Sequence, residues 1–219
     1  MKAGVHWRSM LLAGLVLVLA GCAPDSNAGP TPGKGAAGSA QAAPAVHWPA
    51  PADPMGLARK AGLVPEPREQ LEFHAHAHLD VFIDGAPVIV PAGIGINTND
   101  PDVHRFDEPG GVAWGGIQLC AQPCISPLHT HDMTGIIHTE SATPTPNTLG
   151  QLFIEWDVKL TATCVGEYCS PAKLIAFYVD GKPYTGDPGA IELANRREIA
   201  IVIGTPPAVI PAVGDFSRA

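Results

Sequence analysis

Residues 66–204 predict an α+β fold: a single sheet-dominated domain with one main helix, of the β-grasp kind, with a helix-bearing β-sandwich as the alternative. Three observations carry this. Glu72–Asp84 reads as a strand that ends at Asp84-Gly85, a turn signal. Leu149, Leu152, Phe153 and Trp156 recur at helical spacing behind Thr148, with Gln151 three residues on as in a capping box. Lys173–Asp180 and Glu198–Gly204 then return to strand composition, the second as a buried terminal strand.

From the N-terminus, Lys2 and Arg8 precede an apolar run, Met10–Ala20, too short to span a bilayer comfortably. Residues 1–21 therefore read as an export signal. Leu19-Ala20-Gly21-Cys22 matches the bacterial lipobox, which makes Cys22 the expected lipidation site; a plain signal peptide with an incidental cysteine is the other reading. The acyl chains would hold the protein on the extracytoplasmic face of the cell membrane. Residues 22–65 are crowded with Ala, Gly, Pro and Ser and are expected to form a tether, since such a segment buries too little surface to offset its chain entropy. Within it, Pro54–Gly62 suits a short helix stopped by Gly62 and Pro65, and His47 is expected to be solvated.

The chain has 13 Lys and Arg against 21 Asp and Glu. Loss of residues 1–21 removes Lys2 and Arg8 and leaves 11 against 21, a net charge of −10. This balance argues against nucleic acid or anionic lipid as partners, both of which need clustered basic residues. It is compatible with binding cations, and it identifies no protein partner. Four cysteines remain after Cys22: Cys120, Cys124, Cys164 and Cys169. Outside the cytoplasm they are expected to form disulfides, and their spacing suits Cys120–Cys124 with Cys164–Cys169. A cross-link between the two loops is equally allowed, and thiolate ligation beside His129 is the rival reading.

Between strand 72–84 and the helix, Pro87–Ile96 reads as a return strand interrupted by Pro91 and Gly93. Residues 97–127 read as a long loop or a hidden pair of short strands. Leu128–His131 and Gly135–Thr139 form a second candidate hairpin, and residues 205–219 an extended tail. Val81–Pro87 and Phe177–Pro183 echo one another as two strand–Asp-Gly–Pro hairpins, which is ordinary turn chemistry.

The chemistry lies in two histidine runs. Six of the nine histidines are His74, His76 and His78, and His129, His131 and His138. In a strand, residues i, i+2 and i+4 share one face, about 6.5–7 Å apart, close enough for imidazoles to converge on one ion. Imidazole is the commonest side-chain metal ligand and suits copper or zinc. The expected ligands are His76, His78, His129 and His131, with His74 and His138 as further candidates. Asp80 continues the face of His74, His76 and His78 and is placed to orient a ligand histidine through its second ring nitrogen. Asp132 either plays that role at a turn or simply forms the turn. Glu140 reads as a hairpin-end carboxylate in preference to a general base. No set of nucleophile, acid and base stands out, and no catalytic residue is assigned.

These stretches resemble a group of exported bacterial and archaeal proteins. The shared features are an H-x-H-x-H-L-D-V-F strand (His74–Phe82) and a P-A-G-I-G-I strand (Pro91–Ile96). An L-H-T-H-D-x-T-G-x-I-H hairpin (Leu128–His138) and a T-L-G-Q-x-F helix (Thr148–Phe153) follow. The resemblance implies a shared site and supplies no activity or substrate. Three functions compete: a lipid-anchored copper- or zinc-binding protein, a histidine-ligated metalloenzyme, and a structural envelope module.

Overall fold

The computed structural model describes residues 47–217. The export signal, Cys22 and the tether as far as residue 46 lie outside them. The strands are β1 (Phe73–Ile83), β2 (Ala86–Val88), β3 (His104–Glu108), β4 (Gly111–Gly115), β5 (Leu128–His129) and β6 (Ile136–Ser141). They continue with β7 (Leu160–Thr161), β8 (Cys164–Val165), β9 (Tyr168–Cys169), β10 (Ile175–Val179), β11 (Lys182–Tyr184) and β12 (Glu198–Ile203). Two helices, α1 (Pro54–Lys60) and α2 (Leu149–Glu155), accompany them.

Seven strands make one mixed sheet in the order β11-β10-β12-β1-β6-β5, with β2 also paired to β1. The first and last strands, β1 and β12, run parallel beside each other from His78↔Glu198 to Ile83↔Ile203. Around that pair the order β2-β1-β12-β10-β11 is the β-grasp arrangement, and β6 and β5 extend it past the first half of β1. The domain is α+β, as the sequence predicts. Its core is helix on sheet: Ala77, Leu79 and Val81 of β1 and Ile199, Ile201 and Ile203 of β12 pack with Leu149, Leu152 and Phe153 of α2 and with its C-cap, Trp156. The other face of β1 carries His74, His76, His78 and Asp80, because successive side chains alternate.

Local signals place most of these elements. Thr148 accepts from the Gln151 amide and Gln151 Oε1 accepts from the Thr148 amide, a complete capping box. The β1–β2 and β10–β11 hairpins turn at Asp84-Gly85 (φ 49° and 82°) and Asp180-Gly181 (φ 50° and 72°), the double left-handed pair that a type I′ turn requires. The disulfides are Cys120–Cys124 and Cys164–Cys169. The long loop contains the hairpin β3–β4, a separate two-stranded sheet.

Three expectations change. The return strand 87–96 is only Ala86–Val88; from Pro91 the chain turns, yet Val90, Ile94 and Ile96 are buried. Gly95 (φ 70°) lies where a Cβ would strike the Leu128 carbonyl, so this close backbone approach to β5 excludes a side chain. Second, the folded region begins before residue 66. Trp48 packs on Trp156, whose Nε1–H donates to the Trp48 carbonyl at 3.0 Å, and Ala58 and Leu63 join the core. Two aromatic rings and α1 repay the ordering of a segment whose composition alone reads as tether. His47, at its start, is exposed yet lies 2.7 Å from Glu167. Third, residues 205–217 lie against the sheet: Phe216 sits 6.2 Å from His78, with the Arg196 guanidinium 4.9 Å over its ring.

One core residue is out of character. Glu155, on α2, is fully buried, and neither carboxyl oxygen makes a hydrogen bond of normal geometry. Burial pushes its pKa up to about 8, against a weaker pull from the Ser126 hydroxyl. The unfolded chain releases this proton near 4.5 and the folded one near 8, so stability falls as pH rises between those values, by roughly 1.4 kcal/mol per unit. Glu155→Gln has no proton to lose. Denaturant melts at pH 5.5 and 7.5 are expected to show a correspondingly flatter pH dependence; identical slopes would refute this account of Glu155.

Candidate metal centre

Register builds the site. His76 of β1 lies opposite His138 of β6, and His138 lies opposite His129 of β5. Two residue pairs further, on the same face, His74 lies opposite Glu140. Neighbouring strands are about 4.7–4.9 Å apart, so three strands in this register present four imidazoles and a carboxylate on one face. His131, two residues beyond His129, joins them: its ring is 4.6 Å from His129 and 4.5 Å from His138. On the opposite face, Ala77, Leu128 and Ile137 enter the apolar core. That core fixes the register and with it the cluster, since a slip of one residue would turn the histidines inward.

Backbone carbonyls orient two of the rings. His129 Nδ1–H donates to the Ser126 carbonyl at 2.9 Å and His131 Nδ1–H to the Trp114 carbonyl at 2.6 Å. Each bond leaves the Nε2 lone pair free, and the two Nε2 atoms face each other at 3.1 Å. Two lone pairs at that distance repel unless a proton or a cation lies between them. An ion with bonds of about 2.0–2.1 Å in a tetrahedral shell sets its ligand atoms about 3.3–3.4 Å apart. Glu140 Oε1 is 3.0 Å from His74 Nε2, 3.4 Å from His138 Nδ1 and 3.7 Å from His129 Nε2. His74 Nε2 and His138 Nδ1 are 3.4 Å apart. These are coordination-edge lengths, and the cluster has the donors and spacing to hold a metal ion.

Burial disfavours the charged form of three of the imidazoles. His129 is held well below its ordinary value by burial and then by the His131 and His138 imidazoles. Burial, with His131 and His74, pushes His138 down to about 3; burial, with His138 and His74, pushes His76 down to about 4. The Glu140 carboxyl is raised by burial, against the neighbouring histidines. Two buried atoms of the cluster, His76 Nε2 and Glu140 Oε2, have no hydrogen-bond partner, a cost of about 1–3 kcal/mol each in the absence of a ligand.

The six expected histidines thus divide. His74, His76, His129, His131 and His138 converge; His78 does not join them. Its Nδ1 lies 2.8 Å from Glu198 Oε2 and its Nε2 2.9 Å from the Thr134 carbonyl, so both nitrogens meet acceptors, the pattern of an imidazolium. Burial opposes that charge, but the Glu198 hydrogen bond and carboxylate outweigh it, and His78 titrates above its ordinary value. Asp80 lies 3.8 Å from His78 Nδ1 and so attends this ion pair instead of a ligand of the five-histidine cluster. Asp132 forms the turn: its Oδ1 accepts from the Thr134 amide at 2.9 Å and hydroxyl at 2.5 Å.

Glu140 is the residue that sequence reasoning undervalued. His138-Thr139-Glu140 is an i, i+2 pair on one strand, the same signal that selected the histidines, and it puts the carboxylate in their midst. Glu69, whose Oε1 is 3.8 Å from His131 Nε2, has no comparable signal in the sequence. All four cysteines among the described residues are in disulfides, which removes thiolate from the donor set. Comparison of the chain with family models, with curated proteins and with solved structures finds no match.

Proposed function

We propose that this chain is a membrane-anchored, extracytoplasmic lipoprotein that binds copper or zinc through His74, His76, His129, His131, His138 and Glu140. The observation that carries the reading is the facing Nε2 pair of His129 and His131. Two carbonyls hold these rings with their lone pairs toward each other, a geometry that costs energy without a cation and suits one. Imidazole and carboxylate donors without thiolate fit zinc or copper(II). The lipobox at Cys22 and the acidic charge support display on the outer membrane face and affinity for cations. A cavity of about 10 Å³, room for about one water, is bordered by His129 and Glu140.

The test is elemental analysis of the purified full-length chain after incubation with each metal, beside the His129→Ala, His131→Ala double variant. At least tenfold less retained metal is expected in the variant, with a circular dichroism spectrum matching the parent. Equal metal content in both proteins would overturn the reading.

A further inference from the structure

Resting on that metal-binding reading, we infer that the cluster is a two-ion centre, with one ion held on the His129 and His131 side and a second on the His74 and His76 side, and with His138 and Glu140 between them. The donors exceed what one ion takes. Zinc sites are almost always four-coordinate, whereas this face offers five imidazoles and both oxygens of Glu140. The donors form two overlapping sets, His129, His131, His138 and Glu140, and His74, His76 and His138; within each set the ligand atoms lie within 4.8 Å of one another. One ion in the first set leaves His74 and His76 unused. It also leaves unexplained why His76 Nε2 is buried with no partner.

Glu140 supplies the link. Its Oε1 lies 3.0 Å from His74 Nε2 and 3.7 Å from His129 Nε2, one nitrogen from each side, while its Oε2 is buried and unpartnered. A residue only 4 % exposed that offers one engaged and one idle oxygen between two nitrogen sets is equipped to serve two ions. Two ions sharing these donors would stand at the separation general to two-metal sites, about 3.5–4 Å. The one-water cavity beside His129 and Glu140 adds room for a solvent ligand.

The experiment is a titration of the metal-free full-length chain with zinc(II) and with copper(II), reading bound metal by elemental analysis after desalting. Copper-loaded samples are also examined by electron paramagnetic resonance. Two ions per chain are expected, with integrated copper signal well below two spins because the neighbouring ions couple. The His74→Ala, His76→Ala variant is expected to hold one ion with a full, uncoupled one-spin signal. One ion per wild-type chain would overturn this inference and leave the metal-binding reading standing; no retained ion would overturn both. Two uncoupled ions, or two ions still bound in the variant, would place the second ion elsewhere and overturn the shared centre. The wild-type stoichiometry and spin count need no variant to fold.

Discussion

Metal is expected to raise the melting temperature of the metal-free protein by about 8–16 °C when the free ion exceeds its Kd a thousandfold. A ligand at that excess that binds only the folded state stabilises it by about 4.1 kcal/mol. In a domain of this size each kcal/mol moves the midpoint by about 2–4 °C. Two features make the folded state the stronger binder: the donors come from three strands and from His131 just past β5, and their order is set by the sheet. At pH 7 the ion also meets little competition from protons at His76, His129 and His138, because burial already holds all three neutral. The same shifts fix an acid signature of the metal-free chain. In the unfolded state these imidazoles take up protons below about 6.5, while folded His76 and His138 wait until about 4 and 3. Stability from each is therefore complete above 6.5 and declines as pH falls, by roughly 1.4 kcal/mol per unit. Raised carboxyls such as Glu155 act in the opposite sense above 4.5, and the lowered carboxyls of Asp84, Glu167 and Asp215 add to the histidine slope below it. His76→Ala and His138→Ala melts beside the parent therefore isolate the imidazole share. Calorimetry with zinc, copper or a chelator at pH 7.5, and denaturant melts of the metal-free protein across that acid range, check both parts. An unchanged midpoint with both metals would defeat the first, and a flat acid limb the second.

What the sequence made legible is what depends on neighbours along the chain. Leu149, Leu152, Phe153 and Trp156 point into the core because a 3.6-residue period leaves no other face for them. Asp84-Gly85 and Asp180-Gly181 announce their turns because few other dipeptides take two left-handed residues. The convergence of His76, His129 and His138 was legible as a candidate ligand set, whereas the register that joins them was not. Whether β1 pairs with β6 through His76 or through a neighbour depends on long-range packing, which a single sequence does not encode locally. Glu140 and Glu69 gained their place the same way. The sharing of one strand face by His74, His76 and His78 read as one site because periodicity says nothing of what lies beside each residue. His76 meets His138 on one neighbour, whereas His78 meets Glu198 on the other. Trp48 was hidden for a related reason: an Ala- and Pro-rich surround signals a spacer, and only the distant Trp156 reveals a docking point.

His78→Ala is expected to destabilise the metal-free protein by about 3–5 kcal/mol while leaving its metal content unchanged. The variant strands Glu198, which is 1 % exposed and already has Oε1 without a partner. A buried carboxylate that loses its cation keeps the full desolvation penalty and none of the attraction. At about 2–4 °C per kcal/mol, the midpoint should fall by about 6–20 °C. The pair also marks register, since His78 and Glu198 are the first partners of the parallel β1–β12 ladder, and His78 Nε2–H ties the strand to the Thr134 carbonyl. Its pH dependence has a definite sign. His78 is raised by Glu198, so the stability it contributes is complete below 6.5 and is lost as pH rises through its elevated value. In the variant, Glu198 must take up a proton to stay buried, and the deficit should shrink as pH falls toward 4.5. Replacing both residues with leucine removes the stranded charge and is expected to recover much of the loss. Calorimetry of the single and double variants, with metal analysis on each, separates this ion pair from the five ligand histidines. A His78→Ala protein that melts like its parent but no longer retains metal would return His78 to the ligand set.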